Sequence, residues 1–246
     1  MSERSKEKES KRSQASQMPA DMQITVSGGA RRLPVYLLLD TSGSMAGAPI
    51  ESVRLGLEQF AREVKSDPTA RDAVHVGLIT FGGEANFVTH GLVSFDSFQP
   101  PSLSAGGETP LGQAFYLLIE SLDKDIKTSV KGGTKGDWKP LVFILTDGKP
   151  TDQWREPRDE ILKRQKNKVL NIITVGCGPF VNQQNLVDIA GNDGISFNVG
   201  NDERSFSQYF KWVSQTVISR TRTISQTGGD NKPIETPPPP GSQFIP

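Results

Sequence analysis

Short runs of aliphatic residues alternate along this chain with longer stretches in which apolar and polar positions interleave. Residues 33–39 (LPVYLLL), 73–81 (AVHVGLITF), 141–146 (LVFILT), 169–175 (VLNIITV) and 195–199 (ISFNV) are rich in aliphatic residues and bounded by Gly, Pro or Asp. They read as β-strands, and the uninterrupted ones as strands buried on both faces. Residues 86–95 are expected to add an antiparallel edge strand after a turn at Gly82-Gly83. Helices are expected at 50–65, 111–126, 158–168, 185–190 and 205–219. In the second of these, Leu111, Ala114, Phe115, Leu118, Ile119 and Leu122 recur at three-four spacing and form one apolar face. Strand alternating with helix predicts an α/β fold, a doubly wound, mostly parallel central sheet with one antiparallel edge strand and helices on both faces. Ligands of such sheets bind beyond the carboxyl ends of the strands. The chemistry is therefore sought in the loops that follow them.

The pattern fades at both ends. Residues 1–30 are rich in Ser, Lys and Glu and read as a disordered arm, because ordering them recovers little burial. From 221 the sequence turns polar and then reaches Pro237, Pro238, Pro239 and Pro240, which predicts a flexible Pro-rich tail over 221–246. The fold is assigned to 31–220. Across the 246 residues, 28 Lys and Arg balance 28 Asp and Glu, so no basic excess points to nucleic acid or to a membrane surface. No run approaches the roughly 18 apolar residues of a membrane span. The single cysteine, Cys177, and the absence of an apolar leader in the N-terminal residues predict a cytoplasmic protein.

Two strand ends carry acid. The first strand runs into Asp40-Thr41-Ser42-Gly43-Ser44-Met45, and the 141–146 strand into Asp147-Gly148-Lys149-Pro150-Thr151-Asp152. A carboxylate closing a buried apolar run needs a counterion or donors. Ser42 and Ser44, at alternate positions about Gly43, and Thr109, just before Pro110, supply hydroxyls from neighbouring loops. Asp40, Ser42, Ser44, Thr109 and Asp147 thus form an all-oxygen set suited to Mg²⁺ or Mn²⁺ and not to zinc. The enzyme alternative is a haloacid-dehalogenase-like Mg²⁺-dependent phosphatase with Asp40 as nucleophile, Thr80 as the second motif, and Asp147 and Asp152 as metal carboxylates. It lacks a general acid, since Ser42 stands where a second Asp is needed. Residues 132–136 (GGTKG) do not make a phosphate loop, and two histidines, His75 and His90, offer no triad base. No catalytic residue is assigned.

Asp40-x-Ser42-x-Ser44, Thr109 and Asp147, in that order, resemble the metal-ion-dependent adhesion site of von Willebrand factor A domains. More narrowly, RRLPVYLLLDTSGSM, ITFGGEA, GGETPLG and DWKPLVFILTDGKPTD are similar to the bacterial TerY group found with tellurium-resistance genes. The resemblance implies that Ser42, Ser44 and Thr109 bind the ion directly, that Asp40 and Asp147 act largely through water, and that a protein partner's Asp or Glu completes the coordination. It implies a non-enzymatic interaction module of a stress or phage-defence system, working with a Ser/Thr kinase and a PP2C-type phosphatase. Met45, Glu108 and Trp154 are placed on the partner-binding rim, with packing for Trp154 and solvation for Glu108 as the alternatives. Thr223 and Ser225, beside Arg220 and Arg222 in the tail, are the expected phosphorylation sites. Asp152 is expected to cap the helix that follows it.

Overall fold

The computed structural model describes residues 31–245, except 131, 134, 168, 179–180, 230–233 and 235–236. The N-terminal arm assigned to 1–30 lies outside the described residues. Eight strands, β1 (Leu33–Asp40), β2 (Val74–Gly82), β3 (Glu84–Phe87), β4 (Val93–Ser94), β5 (Leu141–Thr146), β6 (Asn171–Cys177), β7 (Ile195–Val199) and β8 (Gln243–Ile245), form one sheet. Among the described residues six α-helices accompany them: α1 (Ala48–Ser66), α2 (Pro68–Ala73), α3 (Leu111–Asp125), α4 (Arg155–Lys166), α5 (Gln183–Ala190) and α6 (Glu203–Thr227).

The sheet order is β3-β2-β1-β5-β6-β7-β8, with β4 also on β2. β2, β1, β5, β6 and β7 are parallel, and β3 and β4 form the expected antiparallel edge. β1 is buried along its whole length because both of its faces are covered. Val35, Leu37 and Leu39 meet Val53, Leu57 and Phe60 of α1 and Phe206, Phe210 and Val213 of α6 in one core. Tyr36 and Leu38 join Leu111, Phe115 and Leu118 of α3 and Ile161 of α4 in the other. Period-two alternation along β1 thus feeds two hydrophobic layers.

Three elements depart from the sequence reading. α2 is an added turn of helix, started by Asp67, whose carboxylate accepts from Ala70 N at 2.9 Å, with Pro68 in the first helical position. α6 does not stop at 219 but continues to Thr227, because Val217, Arg220, Thr221 and Ile224 extend its buried stripe. Thr223 and Ser225, expected in a disordered tail, lie in its last turns; Thr223 is half-buried and Ser225 exposed. Finally, β8 adds an antiparallel strand on β7, in a region read as a flexible tail.

At the amino end of β1 the sheet is closed by charge. Arg32 donates from Nε and Nη2 to the two oxygens of Asp137 at 2.9 and 2.5 Å, and Lys127 N donates to the same carboxylate at 2.8 Å.

Candidate metal centre

The carboxyl ends of β1 and β5 deliver Asp40 and Asp147 to one edge of the sheet, as parallel neighbours must. Three loops meet over them, and backbone hydrogen bonds join the loops. Gly43 N donates to Gly107 O at 2.9 Å, Gly106 N to Thr41 O at 2.8 Å, and Gly83 N to Glu108 O at 2.9 Å. The seam is too close for side chains: a Cβ on Gly107, which adopts φ +74°, would fall 2.5 Å from Gly83 Cα, and one on Gly82 would fall 2.1 Å from Thr41 O. A second pair of bonds holds Thr109 in place, from Thr109 N to Thr151 Oγ1 and from Thr151 N to Thr109 O, both at 3.0 Å.

Within this frame the oxygens converge. Asp40 is fully buried; its Oδ1 accepts from Ser42 N at 2.9 Å and its Oδ2 from Thr146 Oγ1 at 2.6 Å. Ser42 Oγ and Ser44 Oγ are 3.1 Å apart, and Ser44 Oγ donates to Asp147 Oδ1 at 2.7 Å. A Cβ built on Gly148 would lie 3.6 Å from Thr109 Oγ1 and 3.9 Å from Ser44 Oγ. Thr109, Ser44 and the Asp147 turn therefore face one small space.

The groups that donate to the two carboxylates are neutral, and the acids respond accordingly. Burial raises the pKa of Asp40 above the usual carboxylate value; bonds from Ser42 and Thr146 oppose this, and the charge of Asp147 adds to it. Asp147 is raised by burial and partly restored by Ser44. Negative charge is thus concentrated where three hydroxyl oxygens and two carboxylates meet, an arrangement that a hard divalent cation relieves. Among the described residues no group of three or more His, Cys, Asp or Glu side chains is placed to hold a metal ion.

The three rim candidates take different places. Met45 is fully buried, its Sδ 4.0 Å from Cys177 Sγ, and forms a wall of a cleft of about 310 Å³ that Ser44, Asp147 and Phe206 also line. Trp154 is 4% exposed and packs between α3 and α4 with the guanidinium groups of Arg155 and Arg158 over its ring, so packing and not rim exposure is its role. Glu108 is exposed. Asp152 caps a different helix from the one expected: its carboxylate accepts from Gly112 N at 2.9 Å and Gln113 N at 3.0 Å, at the start of α3. That bond ties the Asp147 loop to the helix that carries Thr109 before it. Thr146, which orients Asp40, escaped the sequence reading because it reads as the last residue of an apolar strand. Cys177 is buried and packs against Met45, and burial drives its thiol well above its ordinary pKa. Both oxygens of the buried Asp40 already accept hydrogen bonds from the chain.

Residues 35–211 match the family model of the von Willebrand factor type A domain, and the chain belongs to that family. Over 200 residues it is 25% identical to inter-alpha-trypsin inhibitor heavy chain 4 of Mus musculus, covering 75% of this chain and 20% of that protein. A von Willebrand factor type A structure from Catenulispora acidiphila superposes with a TM-score of 0.56 at 17% identity, over 77% of this chain and 43% of the other. Proximal thread matrix protein 1 of the mussel byssus, solved with a zinc-occupied MIDAS motif, gives 0.52 at 17% identity, over 78% and 47%. The chain thus spans about a fifth of the mouse relative's length and less than half of each of these structures.

Proposed function

We propose that this chain is a non-enzymatic, divalent-metal-dependent protein-interaction module with Mg²⁺, or Mn²⁺, as its ion. The observation that carries the reading is the meeting of Ser42, Ser44, Thr109, Asp40 and Asp147 over one sheet edge. Ser42, Ser44 and Thr109 would hold the ion through neutral hydroxyls, and Asp40 and Asp147 would orient its waters. A cation so held supplies an open coordination position and uncancelled positive charge, which attract an Asp or Glu of a protein partner. The chain's own contribution is positional. Thr146 and Ser42 N fix Asp40, Ser44 fixes Asp147, and the glycine seam keeps the three loops in register. The zinc-occupied motif named for the mussel protein supports a divalent ion at such a site; the all-oxygen donor set here favours Mg²⁺ or Mn²⁺.

The narrower proposal, that the chain is a TerY-like part of a tellurium-resistance, stress or defence system in the bacterial cytoplasm, acting with a Ser/Thr kinase and a PP2C-type phosphatase, rests on the quoted sequence motifs. Among the described residues no helix is long and apolar enough to cross a membrane. Phosphorylation at Thr223 and Ser225 would require the end of α6 to open. The test of the module is a binding assay with the full chain as bait. Proteins retained in Mg²⁺, released by EDTA, and lost when Ser42 and Ser44 are both changed to Ala support it. Retention that is indifferent to EDTA and to the double variant contradicts it.

A further inference from the structure

We propose that the outer edge of β7 is a strand-acceptor site: it takes an extended peptide bearing a branched aliphatic side chain, and the chain's own Gln243–Ile245 is a resident ligand that a partner's strand of this pattern displaces. The β7 edge lies far along the sheet from Asp40, and the inference does not rest on the metal reading.

The seated segment shows what the edge selects. Gln243, Phe244 and Ile245 pair antiparallel with Asn198, Phe197 and Ser196. Directly opposed residues share a face, so Ile245 falls on the side of Ser196 and Phe244 on the side of Phe197. Ile245 is 7% exposed, whereas Phe244 is 59% exposed. One aliphatic position is read, its neighbour is tolerated, and the backbone supplies the rest. That is the division of labour in strand addition.

The acceptor edge is held from behind by contacts that β8 does not make. The Ser196 hydroxyl lies 2.8 Å from Thr174 Oγ1 on β6 and donates to the Leu186 carbonyl of α5 at 3.3 Å. Phe197 sits in the core, its ring 5.1 Å from that of Trp212. An edge so braced stays in place when its outer neighbour leaves, and then presents unpaired N–H and C=O groups. The occupant, by contrast, is built to leave. It is three residues long, and the four prolines at 237–240 just before it have no N–H with which to lengthen the ladder. Gly241, at φ +79°, and the bond from Ser242 N to Pro239 O at 3.0 Å turn the chain directly into the strand. The partner that fits is therefore an extended protein segment with no proline among the residues that pair with β7 and with Ile, Val or Leu at the position opposite Ser196.

A fluorescein-labelled GSQFIP peptide, titrated by anisotropy into the full chain and into Ile245→Asp, tests this. The variant, with its internal competitor out of the groove, is expected to bind the peptide at least about tenfold more tightly than wild type. Phe244→Pro, which puts a residue that strands disfavour in the middle of the segment without adding charge, is expected to do the same, and circular dichroism melts check that all three proteins are folded. A peptide with Asp in place of Ile should bind none of them. Equal affinity for wild type and both variants, no binding to either variant, or equal binding of the Asp peptide would overturn the proposal. A wild-type dimer by light scattering that Ile245→Asp dissolves would also overturn it, assigning the edge to a second copy.

Discussion

The two ends of β1 carry the same problem and solve it in opposite ways. At the amino end the Asp137 side chain is 2% exposed beneath Arg32, which meets both of its oxygens. At the carboxyl end Asp40 is buried completely, but its donors are a backbone N–H and a hydroxyl, and a second carboxylate stands nearby. The first arrangement is internally neutral and locks the strand to the loop before β5. The second leaves charge for something from outside to neutralise. A strand with one self-sufficient end and one needy end indicates where stability resides and where binding does.

Breaking the self-sufficient end should cost most. Arg32→Ala leaves Asp137 buried without its cation, and a loss of about 3 kcal/mol is expected in urea unfolding. A loss below about 1 kcal/mol would mean the pair is better solvated than its burial implies. Next comes the spacing of the needy end. Gly107→Ala places a Cβ 2.5 Å from the backbone of Gly83 at a positive φ, and a cost of about 2 kcal/mol is expected together with loss of metal response. Asp40→Ala, though it removes a buried group at the same end, should leave the EDTA-treated protein within about 1 kcal/mol of wild type or slightly more stable. If it unfolds the protein as Arg32→Ala does, the two ends are alike and the contrast fails.

The smallest effect is one of pH. Because the folded pKa values of Asp40 and Asp147 are raised, the stability they contribute is present below the unfolded carboxylate value, near 4, and is lost as pH rises through their folded values. In EDTA, the melting temperature of wild type should therefore fall relative to Asp40→Asn as pH is raised from about 4 toward neutrality. Mg²⁺ should restore wild type and not the variant. Parallel pH profiles of the two proteins would show that Asp40 bears no strain.

The same contrast explains what the sequence disclosed. Asp40, Ser42 and Ser44, which alone read as an ordinary turn, were legible in combination with Thr109 and Asp147, each after a suitable strand, and strand order carries Asp147 to the side of Asp40. Arg32 and Asp137 gave no signal, since their meeting depends on a loop closing across more than a hundred residues. For Trp154 the sequence left rim and packing open, and the structure shows packing: the Asp152 bonds to the start of α3 lie two residues before it, and the ring is buried. α6 outran its expected end because buried Thr221 and Arg220 look polar in sequence, leaving Ile224 as the one apolar marker. β8 is three residues after a proline tract, too short for any alternation to register.

The central claim, that the Asp40 end is left incomplete for a cation, is tested most directly by isothermal titration of Mg²⁺ into the EDTA-stripped full chain, alongside the Ser42→Ala, Ser44→Ala double variant. One ion per chain is expected for wild type, with a matching rise in melting temperature, and none for the double variant, which should remain folded. No Mg²⁺ or Mn²⁺ binding to wild type, or the same binding to the double variant, would contradict it.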